Sequence, residues 1–256
     1  MENLKIVIVT QARIGSSRFP EKVLKKLGNT TLLDQHIYRL KKSKLASDIL
    51  IATTFEDNSE KIIMIAKNNK VKYFQGSTTD VLDRFYQAVL PLNADFVVRV
   101  TSDCPLIDAS LIDEVIKLVI DNDLDYGANI LSEEFPDGQD VEVFKFSALK
   151  RAWNEATAIS DREHVTPFIR KNSNFNGGTY FKAINLNAPA NFNHIRMTVD
   201  EPGDLETVEV LIKNLGIDAK WNDYANFIIQ NNDLFKNQKI IRNAGYLKSL
   251  KNDSHE

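Results

Sequence analysis

The stretch that decides the fold is Leu4-Lys5-Ile6-Val7-Ile8-Val9-Thr10-Gln11-Ala12-Arg13-Ile14-Gly15-Ser16-Ser17-Arg18-Phe19-Pro20-Glu21-Lys22. A near-continuous apolar run reads as a strand buried on both faces, which is the mark of a parallel sheet. It empties into a loop holding Arg13, Arg18 and Lys22, with Gly15 and Ser16 between them. In an α/β protein the carboxyl end of such a strand is where a phosphorylated ligand sits. The cations can neutralise phosphate, and Gly and Ser let backbone N–H groups approach it. The loop is not a Walker P-loop, because Glu21 precedes Lys22 and Val23 follows it. Isolated basic residues are usually solvated. The clustering here, directly after a strand, favours a site.

Working outward, strands are expected over residues 4–9, 48–53, 71–74 and 95–100. They alternate with helices over 32–42, 59–68, 80–90 and 110–121. That rhythm predicts α/β architecture with helices on both faces of a parallel sheet. From about residue 125 it changes. Strands are expected over 126–131 and 140–146 around the Phe135-Pro136-Asp137-Gly138 turn. Helices follow over 147–155 and 161–171, the second with Ser160 capping and Glu163 reaching back. Strands over 179–185 and 195–199 come next. A helix then starts at Pro202 and stops before Gly216, and another covers 221–230. This predicts one domain over residues 1–246, with an insertion at about 125–185. A polar tail, 247–256, should fray.

The 256 residues carry a net charge of −3, which argues against a nucleic-acid footprint. The single cysteine, Cys104, fits a reducing compartment and reads as a small buried residue. No apolar run reaches the roughly 20 residues of a membrane span. A cytoplasmic protein with no membrane partner is expected. The four histidines, His36, His164, His194 and His255, lack metal-ligand spacing.

Asp103 ends the strand at 95–100, either ordering the turn before Pro105 or binding Mg²⁺, a hard ion that takes carboxylate and phosphate oxygens. Asp108 reads as a helix cap. Asp200 is a cap or, with Asp103, half of a Mg²⁺–nucleotide site. His164, at a charged helix start, is weak evidence for acid–base work by itself.

Several stretches in series resemble the sugar cytidylyltransferases, in particular their spore-coat-polysaccharide branch. These are Gln11-Ala12-Arg13-Ile14-Gly15-Ser16-Ser17-Arg18-Phe19-Pro20-Glu21-Lys22-Val23-Leu24, Gly76-Ser77-Thr78-Thr79-Asp80-Val81-Leu82-Asp83-Arg84-Phe85 and Arg99-Val100-Thr101-Ser102-Asp103-Cys104-Pro105. Further ones are Pro136-Asp137-Gly138-Gln139-Asp140-Val141-Glu142, Ser160-Asp161-Arg162-Glu163-His164-Val165-Thr166-Pro167 and Val199-Asp200-Glu201-Pro202-Gly203-Asp204. The resemblance implies a nucleotide-diphospho-sugar transferase-like fold, Rossmann-like, with a mixed, mostly parallel central sheet. It implies CTP as co-substrate, Mg²⁺ as cofactor, release of pyrophosphate, a small-molecule acceptor such as an acidic sugar, and a homodimer. By position, Arg13, Ser16, Arg18 and Lys22 would hold the CTP phosphates, with the backbone of Ala12 and Gly15 against the nucleotide. Arg18, Lys22 and Asp103 would be catalytic. Asp103 and Asp200 would take the metal. Asp137, Gln139, Asp140, Glu142, Arg162 and His164 would face the acceptor. Another nucleotidyltransferase donor, or a silent nucleotide-binding partner, are the alternative readings. The chain departs from the family in having Glu21 and Ser102 where glycine is usual. Glu21 could pair with Lys22 or point outward, and Ser102 needs a negative φ.

Overall fold

The computed structural model describes residues 4–16 and 18–239, with Arg242, Leu250 and Asp253 beyond them. The tail expected to fray falls outside the described residues apart from the last two of these.

The first strand, β1 (Ile6–Gln11), is an interior strand of the sheet, and Ile6, Val7, Ile8 and Val9 are at most 4% exposed. After it come the two-residue strands β2 (Lys26–Leu27) and β3 (Thr30–Thr31), then α1 (Leu32–Leu40), β4 (Asp48–Thr54), α2 (Ser59–Asn68) and β5 (Lys72–Gly76). Next are α3 (Val81–Val89), β6 (Phe96–Thr101), α4 (Ala109–Asp121), β7 (Tyr126–Ala128), β8 (Glu142–Lys145) and α5 (Phe146–Glu155). The chain continues through α6 (Ile159–His164), α7 (Pro167–Lys171), β9 (Ala183–Asn185), α8 (Pro202–Leu215) and α9 (Trp221–Gln230).

The main sheet runs β5-β4-β1-β6-β8-β7-β9. β1 pairs in parallel with both β4 and β6, and β8 runs antiparallel to β6 and β7. This is the mixed, mostly parallel sheet expected. Alternate β1 side chains enter opposite layers, as a pleated strand requires. Val7 and Val9 pack with Phe85 of α3 and Leu149 of α5, while Ile6 and Ile8 pack with Ile112 and Ile116 of α4. Beside this core, Met197, Val199, Val208 and Leu211 form a further cluster with Leu27 and Leu32. Among the described residues no helix is long and apolar enough to cross a membrane.

Three local expectations change. The segment 195–199 is not a sheet strand. Its N–H groups go to loops instead, Met197 N to Asp137 O at 2.7 Å and Val199 N to Asp103 O at 2.8 Å. The helix expected over 161–171 is two helices, because Val165 takes φ +71° and Pro167 restarts the chain in a new direction. Ser160 is not a cap. It lies inside α6, whose N-cap position is Ala158 with no side-chain capping bond. The hairpin of β2 and β3 was not expected, since strands of two residues carry no periodicity to read.

Candidate functional site

From β1 the chain proceeds to β4 and β5 on one side, then returns to β6 on the other. At that reversal the loops after β1 and β6 diverge and leave a crevice. Gln11 pairs with Thr101, so both loops begin at the same level. His36 of α1 ties them together. Its Nδ1 donates to the carbonyl of Cys104 at 2.9 Å, which leaves Nε2 to accept from the Thr10 hydroxyl at 2.9 Å. Burial pushes the His36 pKa down to about 4, so this tie is uncharged at neutral pH.

The crevice holds two clefts. One, of about 550 Å³, is lined by Ala12, Arg13, Ser16, Lys22 and Arg84. The other, of about 540 Å³, is lined by Arg99, Asp137, Asp140, Glu142, Thr166 and Arg170. Gln11, Arg18, Thr101, Asp103, His164 and Asp200 line both and form the seam.

At the seam Lys22 Nζ lies 2.8 Å from Asp103 Oδ2 and 2.7 Å from Asp200 Oδ1. Arg18 Nη2 adds a contact to Asp200 Oδ1 at 2.9 Å. Burial acts to raise the Asp103 carboxyl, yet the charge and hydrogen bond of Lys22 hold it below the usual carboxylate range. Burial likewise acts to lower Lys22, and Asp103 and Asp200 outweigh it and raise the ammonium. Asp103 and Asp200 thus converge on one point that a cation occupies. Among the described residues no group of three or more Asp, Glu, His or Cys forms a metal cage. The two carboxylates are hard oxygen donors of the kind Mg²⁺ takes alongside phosphate and water, and Lys22 now stands where that charge would go.

Asp200 is held from behind. Arg196 reaches Asp200 at 3.3 Å, Asp137 at 2.7 Å and the fully buried Asp204 at 2.8 Å. Asp204 also accepts the N–H groups of Asp200 and Glu201 at 2.8 and 2.9 Å. Capping of α8 therefore falls to Glu201 and Asp204, which leaves the Asp200 carboxylate for the seam. Asp108 caps α4 as expected, accepting from Ser110 N at 2.8 Å.

Arg84 is 2% exposed, and its Nε has no partner among the described residues while Nη1 donates to Ser77 O. Burial and then the like charge of Arg13 lower its pKa to about 10, so it remains charged. Two neighbouring cations, one with an orphaned N–H group, give this side of the cleft a positive potential that suits an anion.

Across the seam Glu142 is 1% exposed and pairs with Arg99 and the hydroxyl of Tyr126. Burial acts to raise its pKa, but Arg99 and then Arg170 hold it down. Burial, followed by Arg99, pushes His164 down to about 4. Burial and then Asp140 raise Asp137 to about 7. His164 and Thr166 are joined by a strained γ-turn centred on Val165. That residue has φ +71° and ψ −54°, and Thr166 N donates to His164 O at 2.8 Å. A β-branched residue at positive φ is a true outlier, tolerated where packing over-determines it. Val165 is fully buried in the core.

Of the residues expected from sequence, Ala12, Arg13, Ser16, Arg18, Lys22 and Asp103 line the first cleft. Gly15 does not. Its N–H points at Glu56 Oε2 at 3.5 Å. Asp137, Asp140, Glu142 and His164 line the second cleft, with Asp103 and Asp200 at the seam. Two of the residues expected there are part of the framework. Gln139 is fully buried, bonding Asp108 N and Leu106 O at 2.9 Å each. Arg162 pins α6 to Asp80 at 2.7 Å. Arg84, Arg99, Arg170 and Arg196 were not singled out from the sequence. The signal for two of them was a lone Arg inside an apolar run, Val98-Arg99-Val100 and Ile195-Arg196-Met197. A buried charge demands partners.

Glu21 turns away from Lys22 to pair with Lys61 at 3.3 Å, and its φ is +54°. That left-handed backbone is why glycine suits the position. Ser102 is not among the residues with positive φ, so its side chain is accommodated. Glu21→Gly and Glu21→Ala both remove the exposed pair to Lys61. Glu21→Gly should be the more stable of the two by about 1 kcal/mol, the reverse of the ordinary order. Urea denaturation of the two variants measures this, and equal midpoints would show that position 21 is unstrained.

The family description of the cytidylyltransferases matches residues 6–241. An uncharacterised protein of Methanocaldococcus jannaschii is 35% identical over 95% of this chain and 98% of its own. The spore coat polysaccharide biosynthesis protein SpsF of Bacillus subtilis is 31% identical over 82% of this chain and 88% of its own. The solved structure of a cytidylyltransferase from Leptospira borgpetersenii serovar Hardjo-bovis is 31% identical, superposes with a TM-score of 0.86, and is covered over 100% of its length by 93% of this chain. This chain therefore belongs to the cytidylyltransferase family of nucleotidyltransferases.

Proposed function

We propose that this enzyme transfers CMP from CTP to an acidic sugar or a phosphorylated small molecule, with Mg²⁺, for surface-polysaccharide synthesis. It works in the cytoplasm as a homodimer, as the family resemblance implies. The observation that carries the reading is the seam, where the residues able to hold phosphate and metal stand between two clefts of similar size.

CTP lies in the first cleft, its phosphates against Arg13, Ser16, Arg18 and Lys22, with Arg84 behind. The acceptor lies in the second, its anionic group toward Arg99 and Arg170. An acceptor oxygen attacks the α-phosphorus, a P–O bond forms, and the bond to pyrophosphate breaks. Lys22 and Arg18 meet the charge that grows on the phosphoryl oxygens, where a positioned donor is worth most. Asp103 and Asp200 would hold Mg²⁺, which when bound offsets phosphate charge and orients the oxygens. His164, neutral and on the seam, can take the proton of an attacking hydroxyl. No covalent enzyme intermediate is needed.

Pyrophosphate release is the test, measured with each of the four nucleoside triphosphates, Mg²⁺, and a panel of acidic sugars and phosphorylated small molecules. CTP should be selected, and Asp103→Ala should lower the rate at least about 100-fold. Wild-type rates in Asp103→Ala would overturn the metal assignment. Preference for another triphosphate would overturn the donor.

A further inference from the structure

The family match stops at residue 241, yet at described residues the chain beyond it touches the second cleft, at Asp140, and the helix that enters the first. The first contact is Arg242. It donates to Phe135 O at 2.9 Å and pairs with Asp140, a wall residue of the acceptor cleft. The second is Asp253, whose Oδ1 accepts the backbone N–H of Ser160 at 3.0 Å.

The bond from Ser160 to Asp253 supplies what α6 lacks. The N-cap position of that helix is Ala158, which has no acceptor side chain. Ser160 is 3% exposed, so water cannot readily replace a missing partner for its N–H group. A buried donor left unmade costs more than an average hydrogen bond contributes. The helix so anchored carries Ile159, Glu163 and His164 to the nucleotide cleft, and His164 to the seam.

We propose that Asp253 is a positioning residue of the nucleotide cleft, acting through α6 from outside the segment that defines the family. Arg242 is its counterpart at the acceptor cleft, where it offsets Asp140 beside Asp137. Assigning the first cleft to CTP rests on the function proposed above.

The test uses full-length variants and calorimetric titration with CTP and Mg²⁺. Asp253→Ala should weaken CTP binding by more than about 2-fold and by at most about 10-fold, the ceiling being the full loss of one hydrogen bond to a buried donor. Asp253→Asn keeps an acceptor oxygen and should stay within about 2-fold of wild type. Amide hydrogen exchange should quicken in Asp253→Ala over residues 159–164 and not in the central strands, and be restored in Asp253→Asn, a local pattern that a general loss of stability would not give. Unchanged CTP affinity and unchanged exchange in Asp253→Ala would overturn the proposal. Should wild type itself ignore CTP, the donor assignment fails, and the exchange comparison still decides whether Asp253 holds α6.

Discussion

Lys22→Ala is expected to lower turnover with CTP by about 10²- to 10³-fold, the usual loss when one donor to a developing charge is removed. It should also destabilise the fold. Its ammonium separates Asp103 from Asp200, and without it Asp200 keeps Arg18 and Arg196 while Asp103 loses its ion pair among the described residues. Removing one partner of a fully buried pair costs about 3–5 kcal/mol. Here the side chains keep 14%, 24% and 17% exposure, so solvent screening reduces the expected cost to about 1–3 kcal/mol.

The pH dependence has a definite sign. Asp103 is depressed in the folded state, so its contribution is present above the unfolded carboxylate pKa of about 4 and fades as pH falls through the folded value. Lys22 is raised, so its contribution is present below about 10.4 and fades as pH climbs through its folded value. The stability gap between wild type and Lys22→Ala should therefore be a plateau from about pH 5 to 10 that narrows in acid. Denaturant melts at pH 3 and 7 measure it. A gap as wide at pH 3 as at pH 7 would mean that the Asp103–Lys22 pair is not its source.

Arg196→Ala is expected to have the largest effect on stability. The guanidinium meets Asp204 through both Nε and Nη2, at 2.9 and 2.8 Å, and Asp137 through Nη1 at 2.7 Å. Asp204 is fully buried, so truncation strands a carboxylate out of water. The cost should be about 3–5 kcal/mol, a large part of a typical total of 5–15. Arg196→Lys should recover only part of it, because an ammonium cannot span both partners with a planar fork. Thermal denaturation of the two variants is the measurement, and a loss under about 1 kcal/mol in Arg196→Ala would refute this account. Activity should fall as well, since Asp200 depends on this network for its place.

Much of this could be read before any coordinates. The apolar strand Ile6–Gln11 and the cations that follow fixed the type of sheet and one wall of the crevice, since both depend on local sequence. Strand-end placement located Asp103, and the structure brings it and Asp200 to one ammonium although the segment before Asp200 is not the sheet strand expected. What stayed hidden depends on distant partners. The partners of Gln139 lie some 30 residues earlier in the chain, so its side chain looked available until they were known. Segment 195–199 has strand periodicity but spends its hydrogen bonds on the loops of Asp103 and Asp137. The Arg84, Arg99 and Arg196 side chains sit in apolar patterns, which locate burial without showing the function of a charge buried there.

The γ-turn at Val165 bears on how such an enzyme can diversify. His164, on one side of it, touches both clefts, and Thr166, on the other, touches the acceptor cleft. With donor and acceptor placed as proposed above, a single over-determined peptide would serve both substrates. Shifting it to admit a new acceptor would disturb the nucleotide as well. On the assignment proposed above, a change of acceptor that spares the nucleotide would fall on residues that line the second cleft alone, such as Ile130 and Asp140.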